Sequence, residues 1–131
     1  MLLEFKTKNY KSFVEEAVFS MVSAPKQKGL DYSLMKVKVK GKEIKGLSSS
    51  VIYGPNAAGK TNIIGARDVI RTIILRGNIR NSEEKSSPNP AAEALELIPN
   101  NNADEPKPVY FCVKFYEEDA DKKFVIQYEL E

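Results

Sequence analysis

The sequence contains no histidine and no tryptophan, and it has a single cysteine, Cys112, among its 131 residues. Without histidine the chain has no serine–histidine catalytic pair, no zinc–histidine site and no imidazole for acid–base chemistry. One cysteine cannot form an intramolecular disulfide, so nothing favours secretion. No run approaches the roughly 20 apolar residues that cross a bilayer, and the start lacks the apolar stretch of a signal peptide. We therefore expect a cytoplasmic protein without a membrane partner.

The charges of the chain nearly cancel, with 20 Lys and Arg against 18 Asp and Glu and a net charge of +2. This balance gives the chain as a whole no strong attraction to nucleic acid or to an anionic membrane. The length and the 42% hydrophobic content fit one ordinary globular domain over residues 1–131.

Alternating apolar and polar residues predict strands near both ends of the chain. Residues 2–10 and 13–21 alternate loosely, and "VYFCVKFYEE" and "KKFVIQYELE" predict an antiparallel hairpin around "DADK". Five of the seven prolines fall in residues 78–108, so we expect a long loop there.

The stretch "MKVKVKGKEIKG" alternates strictly, with Val37 and Val39 on one face, lysines on the other, and a tight turn expected at Gly41-Lys42. The lysines form a basic strip that admits two interpretations. They can be solvated residues that discourage pairing at a sheet edge, or they can contact nucleic acid. The strip consists of Lys36, Lys38, Lys40, Lys42 and Lys45.

A short strand is predicted over residues 47–54, and it leads directly into "GPNAAGKT". A helix is predicted after this octet, because apolar residues recur at steps of three and four and Gly77 stands where a C-terminal cap belongs. The octet Gly54–Thr61 fits the phosphate-binding pattern G-x-x-x-x-G-K-[ST], and the predicted strand before it and the predicted helix after it are the context that the pattern requires.

Each part of the octet has a physical role in holding a phosphate chain. Gly54 and Gly59 permit backbone angles that are closed to other residues, so successive N–H groups can turn toward one anion. Lys60 would reach the β- and γ-phosphates, and Thr61 would offer its hydroxyl to magnesium. We therefore predict a site for ATP and Mg²⁺.

Two further features limit the choice among the protein families that use such a phosphate-binding loop. Asn56 and Asn62 extend the pattern to G-x-N-x-x-G-K-T-N, and "NYKSF" at Asn9–Phe13 ends the first predicted strand. This pairing resembles the N-terminal lobe of ABC-type ATPase heads of the SMC, RecF and OLD-nuclease group. With alanine at position 57, the loop looks most similar to that of the OLD-like branch, the prokaryotic AAA-type ATP-binding proteins. Many of these proteins serve phage defence or DNA metabolism. The resemblance implies an α/β fold, in which a P-loop strand–helix unit is attached to an antiparallel β-sheet.

The resemblance also implies site residues and partners. Lys11 and Ser12 would lie beside the nucleotide, near its α-phosphate or adenine. In the full-length protein ATP would hold two heads together as a homodimer and drive an activity on nucleic acid. The implied nucleotide-binding set is Lys11, Ser12, Gly54, Asn56, Ala57, Ala58, Gly59, Lys60, Thr61 and Asn62, with Thr61 also the magnesium ligand.

Hydrolysis in such heads requires segments that this sequence does not show: a Walker B strand ending in Asp-Glu, a serine–glycine signature from a partner head, and usually a switch histidine. The nearest Walker B candidate, "VKFYEE", is interrupted by Lys114, and Gln127, a candidate water-contacting glutamine, lies mid-strand. The last residue falls inside a predicted strand. We therefore expect the N-terminal piece of a larger ATPase, without its second lobe and with little or no hydrolysis of its own.

Two other functions are compatible with the octet. A small P-loop kinase or GTPase-like switch would use the same loop, although no base-reading N-K-x-D motif is present. A non-catalytic binding or assembly module would carry the loop as a vestige. The loop contacts phosphates only, so the sequence does not separate ATP from GTP.

Overall fold

The structure is a computed structural model that describes residues 1–24, 29, 31–77, 97–101 and 107–131. Within these ranges the regular secondary structure is mostly strand, with a single α-helix. Most of the predicted loop 78–108 lies outside the described residues. The elements are β1 (Leu2–Lys8), β2 (Ala17–Ser20), β3 (Leu34–Val39), β4 (Lys42–Leu47), α1 (Lys60–Arg76), β5 (Tyr110–Asp119) and β6 (Lys122–Leu130), with a short 3-10 helix at Asp31–Ser33.

Four strands form one antiparallel sheet in the order β2-β1-β5-β6. In the register of this sheet Phe5 of β1 lies opposite Phe19 of β2 and Val113 of β5. Strands β5 and β6 pair along almost their whole length down to Asp119 and Lys122, where a two-residue turn joins them. The prediction of an antiparallel sheet built from the opening strands and a closing hairpin is confirmed. Strand β2 is shorter than predicted.

Helix α1 packs on the four-stranded sheet through one stripe of residues. Ala66, Val69 and Ile70 are buried, and their spacing of three and four places them on one side of the helix. They join Phe5 and Phe111 of the sheet in the main hydrophobic core. The helix thus connects the octet at its N-terminus rigidly to the sheet.

The C-terminus of α1 lies where the sequence predicts it. Gly77 has a left-handed backbone (φ 74°), and its N–H donates to the carbonyl of Ile73 at 2.7 Å. Glycine pays no Cβ penalty in this conformation, so it is the residue that most often ends a helix in this way.

Strands β3 and β4 form a separate two-stranded hairpin. Val39 is buried against Leu3 and Tyr116 in a second, smaller cluster, as the strict alternation predicts. The turn lies at Lys40-Gly41, one residue earlier than expected, and both residues have positive φ (47° and 79°). This matches the two-residue turns whose twist suits a hairpin.

The predicted strand over residues 47–54 is not present. Strand β4 ends at Leu47, and within the described residues the backbone groups of 49–53 make no hydrogen bond. Val51 is 82% exposed and Tyr53 is 90% exposed. The apolar residues favour a strand, but a strand exists only against a neighbour, and no described strand pairs with this segment.

Candidate functional site

The octet Gly54–Thr61 forms an exposed turn that leads directly into α1. Ala57 (φ 64°) and Gly59 (φ 82°) have left-handed backbones, and the N–H of Ala58 donates to the carbonyl of Pro55 at 3.3 Å. Left-handed residues within a turn curl the backbone so that successive N–H groups line one concavity. The octet thus contains left-handed residues of the kind found in anion-binding backbone turns.

Lys60 is the first residue of α1, and its side chain folds back across the octet. Its Nζ donates to the carbonyl oxygen of Gly54 at 2.8 Å and to that of Pro55 at 2.6 Å. These bonds tie the beginning of the loop to the helix and hold the ammonium group beside the curled backbone. An anion that enters the turn would therefore find a positive charge already in position.

The first turn of α1 has backbone donors without acceptors. Gly59 is the N-cap, and no side chain caps the helix; the first bond runs from the N–H of Ile63 to the carbonyl of Gly59 at 3.1 Å. In the described part of the chain, the N–H groups of Lys60, Thr61 and Asn62 have no acceptor. Unpaired donors at the positive end of a helix dipole favour an anionic ligand.

The two sequence elements that carry the family resemblance touch each other. Asn62 Nδ2 donates to Ser12 Oγ at 2.8 Å. A Cβ placed on Gly59 would lie 3.1 Å from Ser12 Oγ and 3.2 Å from the ring of Phe13. Position 59 therefore favours glycine for its backbone angle, and any larger residue would also force the side chains of Ser12 and Phe13 to shift by a few tenths of an ångström.

The segment "NYKSF" is held in a tight turn. Tyr10 and Phe13 exchange backbone hydrogen bonds of 3.0 and 2.8 Å. Asn9 is buried with a left-handed backbone (φ 53°), and its Nδ2 donates to the carbonyls of Lys107 and Pro108. Asparagine tolerates this conformation better than most residues. Asn9 thus positions the turn that presents Ser12 to the loop.

Asn100 is a part of the site that the sequence analysis missed. Its N–H donates to the carbonyl of Asn9 at 3.1 Å, and its Nδ2 donates to the carbonyl of Lys11 at 2.5 Å. These two bonds support the turn from outside. Asn100 stands in an asparagine-rich stretch, and no spacing or pattern distinguishes it from its neighbours.

The other members of the implied nucleotide-binding set are Lys11, which directly precedes Ser12, and Asn56 and Ala58, which lie within the octet. Lys11 has a left-handed backbone (φ 47°), and its Nζ lies 5.7 Å from the centroid of the Tyr10 ring. Asn56 and Ala58 are exposed within the octet. The structure therefore brings Ser12 and Asn62 together, while the Lys11 ammonium lies over an aromatic ring.

The residues of the octet fit the phosphates of a nucleotide with one magnesium ion. The helix amides and the Lys60 ammonium supply donors and positive charge, and Thr61 is exposed, with its hydroxyl bonded to no described residue. Across the described ranges, no three His, Cys, Asp or Glu side chains cluster to hold a metal. In the arrangement that the octet pattern implies, magnesium would be held by the Thr61 hydroxyl together with phosphate oxygens and water, as is common for this ion.

The other residues considered for chemistry lie in the β5–β6 hairpin. Cys112 is buried in β5, and burial raises the pKa of its thiol, which disfavours a reactive thiolate. Lys114, which interrupts the Walker B candidate, is also in β5. Gln127 is exposed in β6 and donates to Glu129 at 2.5 Å.

In the described part of the chain, no helix is long and apolar enough to span a membrane. Comparison with known proteins found no matching family model, no matching curated protein and no matching solved structure.

Proposed function

We propose that this chain binds Mg-ATP through the octet and forms the N-terminal lobe of an ABC-type ATPase head of the SMC, RecF and OLD-nuclease group. The contact between the two motif elements carries this proposal: Ser12 is hydrogen-bonded to Asn62, which lies 50 residues later in the chain. Each element by itself resembles the same ATPase lobe, and the two share no residue. In the structure they are adjacent in space. A chance match of the octet alone would not predict this contact.

The contacts of the octet support a role for each residue. The loop amides and the N-terminus of α1 bind the β-phosphate, and Thr61 coordinates magnesium. Lys60 exchanges its two carbonyl acceptors for phosphate oxygens of the β- and γ-groups. This exchange replaces neutral acceptors with anionic ones, which form shorter and stronger hydrogen bonds. Lys11 and Ser12 contact the α-phosphate or adenine.

The exposed segment 50–53 supports the assignment of this chain to one lobe of a larger domain. The segment is apolar and unpaired, and an open groove of about 460 Å³ separates it from the four-stranded sheet. Ile52, Ile63 and Phe19 contribute to the lining of this groove. In the proposed ATPase head, strands of a second lobe pair with the segment and cover the groove. That contact would bury side chains that water now surrounds.

Hydrolysis by this chain alone is expected to be absent or very slow. Cleavage of ATP requires a carboxylate that positions the attacking water and helps to hold magnesium, and no apolar strand ending in Asp-Glu follows the octet in the sequence. In the complete protein, ATP would clamp two heads into a homodimer and drive a step in DNA metabolism or phage defence.

Calorimetric titration with Mg-ATP tests the binding site. Lys60→Ala is expected to weaken binding roughly ten- to a hundredfold, because hydrogen bonds to charged groups contribute about 1.5–3 kcal/mol. Lys107→Ala, which removes an exposed lysine outside the octet, is the matched control and is expected to bind like the unaltered chain. Equal affinity of the two variants would contradict the proposal.

The same titration with Mg-GTP separates the alternatives. Tighter binding of GTP than of ATP would favour a GTPase-like switch over an ABC-type head. A folded chain that binds neither nucleotide would show that the loop is vestigial.

A further inference from the structure

The hairpin formed by β3 and β4 has one buried face and one strongly basic face. Val37, Val39 and Ile44 pack against the second core cluster and fix the hairpin to the rest of the molecule. The opposite face is exposed to solvent, and alternate residues of β3 on this face are about 6.7 Å apart along the strand. The charged residues of this face are Lys36, Lys38, Lys40, Glu43 and Lys45.

The positive charge of the hairpin is only partly compensated. Asp31 pairs with Lys36 at 2.5 Å, and Glu43 pairs with Lys45 at 3.3 Å. Among the described residues, three further lysines of the hairpin have no carboxylate within ion-pair distance: Lys38, Lys40 and Lys42. Between Asp31 and Leu47 the chain therefore carries a surplus of three positive charges, against a net charge of +2 for all 131 residues.

An exposed aromatic residue lies beside the basic face. Tyr32 belongs to the short 3-10 helix that precedes β3, and it is 87% exposed. Its neighbour in the chain, Asp31, is the residue that contacts Lys36, so Tyr32 adjoins the residue that pairs with the first lysine of the row. A phenol ring with almost no packing contacts offers a flat surface on which a base can stack.

We propose that the β3–β4 hairpin binds a single strand of nucleic acid through its sugar–phosphate backbone. Lys36 and Lys38 stand two positions apart in β3, and Lys40 follows them in the turn. The separation of Lys36 and Lys38 along the strand is similar to that of successive phosphates along one strand. Tyr32 stacks on one base, and stacking of this kind tolerates any base. The binding is therefore independent of sequence.

The same face fits a nucleic acid better than a lipid surface. Peripheral membrane sites combine basic residues with apolar side chains that enter the bilayer. Here the apolar residues of the lysine face, Leu34 and Leu47, are half-buried at the end of the hairpin far from the turn. The surface that remains is charged and polar.

Fluorescence anisotropy with a labelled single-stranded oligonucleotide of mixed sequence tests the proposal over a range of salt concentrations. The variant Lys36→Gln/Lys38→Gln/Lys40→Gln removes the three lysines of the row on this face. It is expected to weaken binding at least tenfold at low salt. The slope of log K against log salt is expected to become shallower by about 2, since each phosphate contact to a single strand contributes about 0.7.

Two controls make the result specific. Lys8→Gln/Lys107→Gln/Lys122→Gln removes the same charge from exposed lysines outside the hairpin, and it is expected to change affinity and slope much less. Tyr32→Ala is expected to weaken binding by about fivefold or more, the loss typical of one base stack, with the salt slope unchanged. Circular dichroism and melting curves confirm that each variant is folded.

Several outcomes would overturn the proposal. These are no binding at low salt, equal losses in the two triple variants, tighter binding of a duplex than of a single strand, and equal binding to anionic vesicles. The proposed nucleotide site is separate, because Lys60→Ala is expected to leave oligonucleotide binding unchanged and the hairpin variant is expected to leave Mg-ATP binding unchanged. Failure of one proposal is thus distinguishable from failure of the other.

Discussion

At the scale of single residues, Ala57 is the member of the octet whose side chain conflicts with its backbone. It adopts a left-handed conformation (φ 64°), which costs a residue with a Cβ about 1–2 kcal/mol. The strain is local, and it occurs within the turn that we assign to phosphate binding. Strain of this kind persists where the surrounding structure fixes the backbone.

Ala57→Gly should relieve this strain. The free energy of unfolding is expected to rise by about 0.5–1 kcal/mol, since the gain exceeds the entropy that glycine loses on folding, about 0.5–1 kcal/mol. Ala58→Gly is the matched control. Ala58 does not have a positive φ, so its replacement is expected to lower stability by a few tenths to about 1 kcal/mol. Urea denaturation measures both, and equal effects of the two changes would contradict the strain at position 57.

A second residue-scale feature is the hydrogen bond from Tyr116 to a carboxylate. Its hydroxyl donates to Glu118 Oε2 at 2.6 Å, and this bond, with burial, raises the pKa of Tyr116 to about 12. Burial of Tyr110, with a bond to Cys112, raises the pKa of that phenol to about 12 as well. Both values lie above the ordinary value of 10.0.

The raised pKa values of Tyr110 and Tyr116 predict a loss of stability at high pH. The unfolded phenols release their protons near pH 10, whereas the folded phenols keep them until about pH 12. The folded state therefore binds more protons in this window, and stability falls as pH rises through it. Tyr116→Phe removes one of the two groups, so melting temperatures of this variant are expected to fall less steeply between pH 10 and pH 12. An equally steep fall in the variant would show that Tyr116 does not titrate in this way.

Some residues of the candidate site could be predicted from the sequence, and others could not. Lys60 and Thr61 follow from the octet itself, because the chemistry of phosphate binding requires those residue types at that spacing. The contact of Ser12 with Asn62 was implied by the family resemblance only as proximity to one nucleotide. Asn100 supports the turn through hydrogen bonds to distant backbone groups, and such contacts leave no local signal in a sequence.

At the scale of elements, helix α1 has one side that is buried in the core and one side that is exposed to solvent. Its buried stripe faces the four-stranded sheet, and the opposite side carries Ile64, which is 53% exposed, with Arg67 and Arg71. The periodicity of the apolar residues predicted the helix, and it predicted its buried side at Ala66 and Ile70 but not at Val69, while Ile74 of the predicted stripe is exposed. It did not show that further apolar residues would remain in water, because periodicity does not identify what covers a surface.

Two isoleucine-to-alanine substitutions in α1 test this division. Ile70 is 2% exposed, and Ile70→Ala is expected to lower the free energy of unfolding by about 2–5 kcal/mol because it leaves a cavity in the core. Ile64→Ala is the matched control on the exposed side, and its effect is expected to stay within about 1 kcal/mol, since alanine also favours the helix. Thermal or urea unfolding measures both variants. Similar losses at the two positions would mean that the exposed side is packed in solution.

The segment 47–54 is an element that the sequence pattern predicted wrongly. Val51, Ile52 and Tyr53 have strong β-propensity, but propensity states what fits a sheet and not whether a sheet is present. No described strand pairs with them. The helix that follows forms as predicted because its hydrogen bonds are internal, whereas those of a strand require a neighbour.

At the scale of the whole molecule, the antiparallel sheet joins the two ends of the chain. Strand β1 pairs with β5, more than 100 residues later, and the Met1 ammonium donates to the carbonyl of Tyr116 at 2.7 Å over a separation of 115 residues. The alternation of the strands predicted an antiparallel sheet, and their order follows from the closing hairpin beside β1. Strands β3 and β4 form a sheet of their own, and β4 is hydrogen-bonded to Met21 and Ser23, just after β2. This arrangement could not be predicted, because the alternation of the hairpin would fit an edge of the four-stranded sheet equally well.

The central proposal is that the octet receives the phosphates of Mg-ATP. Backbone amide chemical shifts, followed by NMR during titration with Mg-ATP, test it at the atoms concerned. We predict the largest changes at residues 54–62 and at Ser12 and Phe13, and we predict that Lys60→Ala suppresses them. Changes confined to other parts of the chain, or unchanged amides throughout the octet at saturating Mg-ATP, would contradict the proposal.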